Sequence, residues 1–402
     1  MASATTDIGQ GQRNSSAGSP ARTATSISVG PSRFGRIEGL DGIRALAASA
    51  VLVFHVLSSN DFHAESVIGP YTNRLGNLGV AQFLVLSGCL LYLPFVRANL
   101  DDKPVLSFQG FWWRRFLRIF PAYWVVYFVQ VVFFDIGRPD DAEELLTHSL
   151  LLGNYLFGGE QVFDGLEVAW TLSLEMSFYI LLPVIAWLIR RVGSPTTPEQ
   201  KFRNEFLWVA GIVAIGPVYR SIGYALDFPT HAVAQWIPAY ADWFGLGMLL
   251  AVLRVQVERG GELPPFLAVL RDRPLLSWAL AFAAFFLTAH IGLPLRLAPV
   301  EPDSAQLLAL FNPIAAFLIL VPLVLAVERT RSWVLTPLRH PMMVWLGTIS
   351  FGIYLWHQVI NRAYLNYLEN NQIEPNIFAQ FVVISLATVL LAYGLHLSLI
   401  HI

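Results

Sequence analysis

Charged side chains are scarce in this 402-residue sequence: Asp, Glu, Lys and Arg together make up 13% of it, against roughly 25% in a soluble globular protein. The deficit excludes a fold that faces water on all sides. Charge of one sign is also missing. The net charge is −2, so no basic field argues for nucleic acid as a partner. Cysteine is nearly absent: Cys89 stands alone, which excludes an intrachain disulfide and a cysteine-based zinc cluster. Residues 1–35 lack an apolar signal-peptide core and are rich in Ser, Thr, Gly and Ala. They are expected to form a disordered tail with too little apolar surface to fold.

What is abundant is hydrocarbon. Hydrophobic residues account for 55% of the chain, and the mean hydropathy is +0.54. The apolar residues fall in runs of about 18–22, long enough to cross about 30 Å of bilayer core. Ten spans are predicted, near 43–59, 78–96, 119–136, 170–189, 206–225, 234–253, 275–294, 305–327, 342–360 and 377–400. A shorter apolar piece at 145–157 reads as a half-helix or interfacial helix. The expected fold is therefore all-α and polytopic, with about ten transmembrane helices over residues 36–402. If the N-terminus is placed in the cytoplasm, 20 of the 26 Lys and Arg residues fall on the cytoplasmic side and five on the other. That asymmetry predicts cytoplasmic N- and C-termini.

Two groups of polar residues interrupt the apolar pattern. Arg44 and His55 lie eleven positions apart in the first span. At about 100° per residue they return to within about 20° of one helix face, separated by a rise of about 16 Å. An ionisable group at the mid-membrane depth expected for His55 is costly and lines a cavity or pathway in the functional reading. Imidazole can take up and return a proton near neutral pH. The competing reading is a satisfied core histidine. Asp41, three residues before Arg44, is spaced to pair with it. At the third span, Arg115 and Arg118 are spaced i, i+3, and guanidinium pairs suit bidentate phosphate binding. The plainer reading is a boundary anchor obeying the positive-inside rule.

Several segments together resemble the acyltransferase 3 family of integral membrane acyltransferases. Leu40-Asp41-Gly42-Ile43-Arg44 with His55 is similar to its R-x10-H motif, and Arg115-Phe116-Leu117-Arg118 to its R-x-x-R motif. The stretches Gly79–Gly88, Trp170–Pro183 and Ile349–His357 resemble three more family segments, in the family's order. There are departures. Ala81 or Gln82 stands at the family's acidic position, Cys89 replaces an aromatic, and the closing Glu-x-Pro is replaced by the ending Leu397–Ile402.

The resemblance implies a transferase in the bacterial plasma membrane. It would move an acyl group, usually acetyl from acetyl-CoA or another acyl-CoA, to a hydroxyl of a glycan, lipid-linked glycan or natural product. His55 would be catalytic, and Arg44, Arg115 and Arg118 would bind the donor. Glu175, near the start of the fourth span, is a second catalytic candidate, expected to orient His55 or bind the acceptor hydroxyl. Tyr354 and His357 share a face by i, i+3 and are candidates for the acceptor side. Each of these three also has a structural reading, as a buried carboxylate or an interfacial side chain. No permanently bound cofactor and no metal are expected: the remaining histidines show no ligand spacing, and nothing near Cys89 would activate it as a nucleophile. The partners expected are acyl-CoA, the acceptor and membrane lipids. The rival functions are a transporter or exporter of an acylated glycan, which would favour inverted repeats that are not evident, and a non-catalytic acyl-CoA sensor.

Overall fold

The computed structural model describes residues 37–60, 66–104, 107–156, 165–192, 197–290, 302–326 and 332–399. The expected disordered tail at 1–35 and the final residues 400–402 lie outside that set. The described residues contain helices and no strand. In chain order these are α1 (Leu40–Ser58), α2 (Gly69–Leu100), α3 (Phe108–Phe133), α4 (Ala142–Ser149), α5 (Gly153–Leu156), α6 (Ala169–Arg191), α7 (Pro198–Ala225) and α8 (Thr230–Gln235). They continue with α9 (Ala241–Glu258), α10 (Pro265–Asp272), α11 (Pro274–His290), α12 (Pro302–Val324), α13 (Pro341–Thr348), α14 (Ser350–Asn370) and α15 (Ile377–Leu399).

The all-α, multi-pass expectation holds. Against ten expected spans, eight helical segments among the described residues are long and apolar enough to cross a membrane, and α13 with α14 makes a ninth, bent by 67°. The tenth, α11, is apolar but only 17 residues long, with the residues after it outside the described set. The interfacial piece expected at 145–157 is the short pair α4 and α5.

Helix boundaries follow local chemistry. Ser107 caps α3 by accepting the Gly110 N–H. Thr197 and Gln200 form a capping box at α7, with Pro198 in the first turn, where no intrahelical partner for its nitrogen is needed. Two helices are longer than their hydropathy suggested. Helix α2 begins at Gly69, through the polar stretch Tyr71–Asn77, and α3 begins at Phe108, so Arg115 and Arg118 lie within a helix instead of at its mouth.

Helix α2 is the hub. It packs on α1, α9, α12, α11, α6 and α7. Its approach to α9 is backbone-close: a Cβ on Gly247 would overlap the Val85 carbonyl, and one on Gly88 the Phe244 carbonyl. Small residues are the usual device for such contacts in membranes, where association rests on packing and not on water exclusion. Helix α1 is held by α2, α13, α14 and α15, while α14 also reaches α3. These contacts bring α1, α2, α3, α6 and α14 around one cavity.

Candidate active site

A cavity of about 150 Å³ opens between these five helices. Arg44 of α1, Arg115 and Arg118 of α3, Glu175 and Tyr179 of α6, and Tyr354 of α14 all line it, with Val80, Phe83 and Leu84 of α2 among the apolar walls. Three guanidinium groups therefore share a space with one carboxylate. Arg118 repels Arg44, whereas Glu175 and Asp41 attract it. The Nε atoms of Arg44 and Arg115 are buried, and among the described residues they have no hydrogen-bond partner. The Arg115 guanidinium stands over the rings of Phe111, at 5.6 Å, and Tyr179, at 5.9 Å. Trp112 donates to the Tyr179 carbonyl at 3.1 Å and ties α3 to α6. Arg114 is exposed and stands outside the cavity lining.

Glu175 is already engaged. It accepts from the Ser87 hydroxyl at 2.7 Å and from the Tyr179 phenol at 3.3 Å. The expectation that it orients His55 is corrected by this geometry, which sets it among the arginines. Ser87 and Tyr179 were missed as site residues, although Tyr179 lies one turn after Glu175 and the spacing i, i+4 was available as a signal.

His55 stands in the last turn of α1, not halfway along it, because the helix runs only from Leu40 to Ser58. Its ring neighbours are Phe54, at 4.8 Å between centroids, and His357 of α14, at 5.2 Å. His357 is fully buried. Its Nδ1 faces the Ile353 carbonyl at 3.1 Å, and no described residue offers its Nε2 a hydrogen bond. Tyr354 joins the two regions. It lines the arginine cavity, its ring centroid is 6.0 Å from that of His357, and its hydroxyl meets Thr171 at 2.7 Å and the Val168 carbonyl at 3.1 Å. Of the predicted residues, Arg44, Arg115, Arg118, Glu175 and Tyr354 thus share one cavity, while His55 and His357 pair with each other outside its lining and are linked to it through Tyr354.

The His55 end of α1 is fastened by carboxamides. Asn60 donates to Gln380 at 2.8 Å, Gln380 to Asn361 at 2.7 Å, and both Gln380 and Asn361 to the Ser59 hydroxyl at 3.2 Å. This network joins α14 and α15 to the turn that follows His55. Gln82, which with Ala81 stands where the resemblance leads one to expect an acid, is buried, and its amide atoms have no partner among the described residues. Cys89 is buried and free.

Comparison with known proteins bears on this arrangement. The chain is similar to an inferred O-acetyltransferase of Staphylococcus aureus strain COL, 22% identical over 88% of this chain and 55% of the relative. It is 26% identical to the acyltransferase MdmB of Streptomyces mycarofaciens over 83% of this chain and 81% of the relative. It is also 26% identical to the peptidoglycan O-acetyltransferase OatA of Listeria monocytogenes, over 85% of this chain and 52% of the relative. The chain spans about half the length of the staphylococcal and listerial proteins. No solved structure matches it. The acyltransferase domain model of the acyltransferase 3 family matches residues 37–397, which takes in every helix described above except the last two residues of α15. The chain belongs to the acyltransferase 3 domain family.

Proposed function

We propose that this chain is a membrane O-acyltransferase that moves an acyl group, acetyl in the first instance, from acyl-CoA to a hydroxyl of a glycan, glycolipid or other natural product. The observation that carries the reading is the convergence of Arg44, Arg115 and Arg118 on one cavity whose wall includes Tyr354, with the Tyr354 ring 6.0 Å from that of His357 and the His357 ring 5.2 Å from that of His55. Three cations sharing one carboxylate among membrane-spanning helices favour an anionic ligand, and guanidinium forks match phosphate oxygens. The distribution of Lys and Arg supports an orientation with the Arg44 end and both termini in the cytoplasm, where acyl-CoA is found. The names of the staphylococcal and listerial relatives supply the acetyl group, and that of the listerial protein a glycan acceptor.

In this mechanism the CoA phosphates rest on the three arginines. The acyl-pantetheine arm follows α1 toward His55, a rise of about 16 Å for eleven residues. The acceptor approaches the His55 end, near Tyr354 and His357. His55 removes the proton of the acceptor hydroxyl, the oxygen attacks the thioester carbonyl, and the carbon–sulfur bond breaks. The proton then passes from His55 to the CoA thiolate. In purified protein, His55→Ala should keep acetyl-CoA binding and lose transfer to a hydroxyl-bearing glycan panel by on the order of 10²- to 10⁴-fold. Undiminished transfer refutes the assignment. Binding without any turnover by the wild type would mark a sensor, and no binding at all would favour the transporter.

A further inference from the structure

We propose that His357 is a positioning residue for His55, forming with it a two-imidazole relay that ends on the Ile353 carbonyl. The inference rests on the O-acyltransferase reading above and adds a residue to it.

The tautomer of His357 follows from its surroundings. A carbonyl oxygen only accepts, so the contact at 3.1 Å between Nδ1 and the Ile353 oxygen requires the proton on Nδ1. The Nε2 atom then carries a lone pair. It is buried, without a partner among the described residues, on a side chain with no exposure to solvent. Among the described residues the ring packed most closely on that of His357 is His55, with 5.2 Å between centroids. His55 is only half-buried. The outer imidazole is thus the one a substrate can reach, and the inner one stands behind it. A buried acceptor facing a catalytic base is the arrangement that fixes the base's tautomer: His55 gives its N–H to Nε2 of His357 and keeps its other nitrogen as the base. When His55 takes the hydroxyl proton it becomes a cation, and the lone pair of His357 stabilises it without accepting the proton.

Such an orienting partner is more often a carboxylate. Here the nearby carboxylate, Glu175, is held by Ser87 and Tyr179 in the arginine cavity. A neutral imidazole supplies the acceptor without adding a second buried charge, which in this setting is costly. Hydrogen bonds of this kind are often long in unliganded enzymes and shorten in the substrate complex, in keeping with the present ring separation.

The test uses the full chain in detergent, with acetyl-CoA as donor. His357→Met fills the space without an acceptor, while His357→Gln sets a carboxamide oxygen near the position of Nε2. His357→Met should lower kcat by about 10²- to 10³-fold, with the KM and Kd for acetyl-CoA within about twofold of wild type. His357→Gln should keep kcat within about tenfold of wild type. A His357→Met kcat within about fivefold of wild type overturns the proposal, as does an equal loss in both variants, because a packing role would not distinguish them. Should the methionine variant fail to fold, the glutamine variant decides alone: a kcat above about one-tenth of wild type supports the relay, and a lower one refutes it. If His55→Ala is inactive while His357→Met is normal, the relay alone fails. If His55→Ala is fully active, the underlying reading fails.

Discussion

Arg115→Met and Arg118→Met, made singly and together, probe the cavity where its charge is most unbalanced. Methionine is the right replacement because the Arg115 stem and guanidinium pack over Phe111 and Tyr179. Alanine would confound lost packing with lost charge. A hydrogen bond to a charged group contributes about 1.5–3 kcal/mol net. At about 1.4 kcal/mol per tenfold, each single variant should bind acetyl-CoA about 10- to 140-fold more weakly. Removing both leaves Arg44 against Glu175, one cation against one anion, so the lining loses its surplus charge. The double variant should then bind acetyl-CoA no better than it binds acetyl-pantetheine, which carries no phosphate. Its two losses need not add, because both side chains meet one ligand. Titration calorimetry in detergent at low and at physiological ionic strength reads all of this. Wild-type affinity should fall as salt rises, and that of the double variant much less. A double variant that binds within about threefold of wild type, or whose loss is the same for the phosphate-free ligand, refutes the donor-site reasoning.

Other perturbations reach different parts of the molecule. Tyr354→Phe removes the hydroxyl contacts to Thr171 and the Val168 carbonyl, which keep their own bond to each other at 3.0 Å, and should cost about 0.5–1.5 kcal/mol of stability, read as a lower thermal midpoint of the purified protein. Gly247→Ala forces a Cβ into the Val85 carbonyl between α9 and α2 and should destabilise by about 1–3 kcal/mol through overpacking; unchanged thermal unfolding would refute that contact. In the turn after α2, outside the membrane-spanning helices, the Asp102 carboxyl is held below the ordinary carboxylate range by the Lys201 ammonium from the first turn of α7. A depressed carboxylate stabilises above its unfolded value and stops doing so as pH falls through the folded one. The difference in thermal midpoint between wild type and Lys201→Met should therefore be full at neutral pH, begin to shrink near about 3.9, the ordinary aspartate value, and vanish only as pH falls through the lower folded value.

The sequence carried the local relationships and missed the distant ones. The offsets of eleven positions from Arg44 to His55 and three from Arg115 to Arg118 are periodicities that a single helix imposes, and both arginine sites meet in one cavity. The neighbour of His55 could not be read the same way. His357 lies 302 positions away on α14, and only the packing of α14 on α1 brings the rings together. The same limit explains Glu175, whose partner Ser87 sits on another helix 88 residues away. Hydropathy also misjudged ends and bends. It cannot extend α2 back through Tyr71–Asn77, since those residues are polar, and it sees a continuous apolar run where α13 and α14 turn by 67° at Ile349.

The fastening at the far end of α1 has a bearing on how kinetic data from this protein should be interpreted. Ser59, Asn60, Asn361 and Gln380 hold the turn after His55 through amide and hydroxyl groups alone. None of the four gains or loses a proton in the range where imidazoles titrate. These four bonds are therefore unchanged by acid there, so a change in a pH–rate profile recorded across neutrality does not come from their loss.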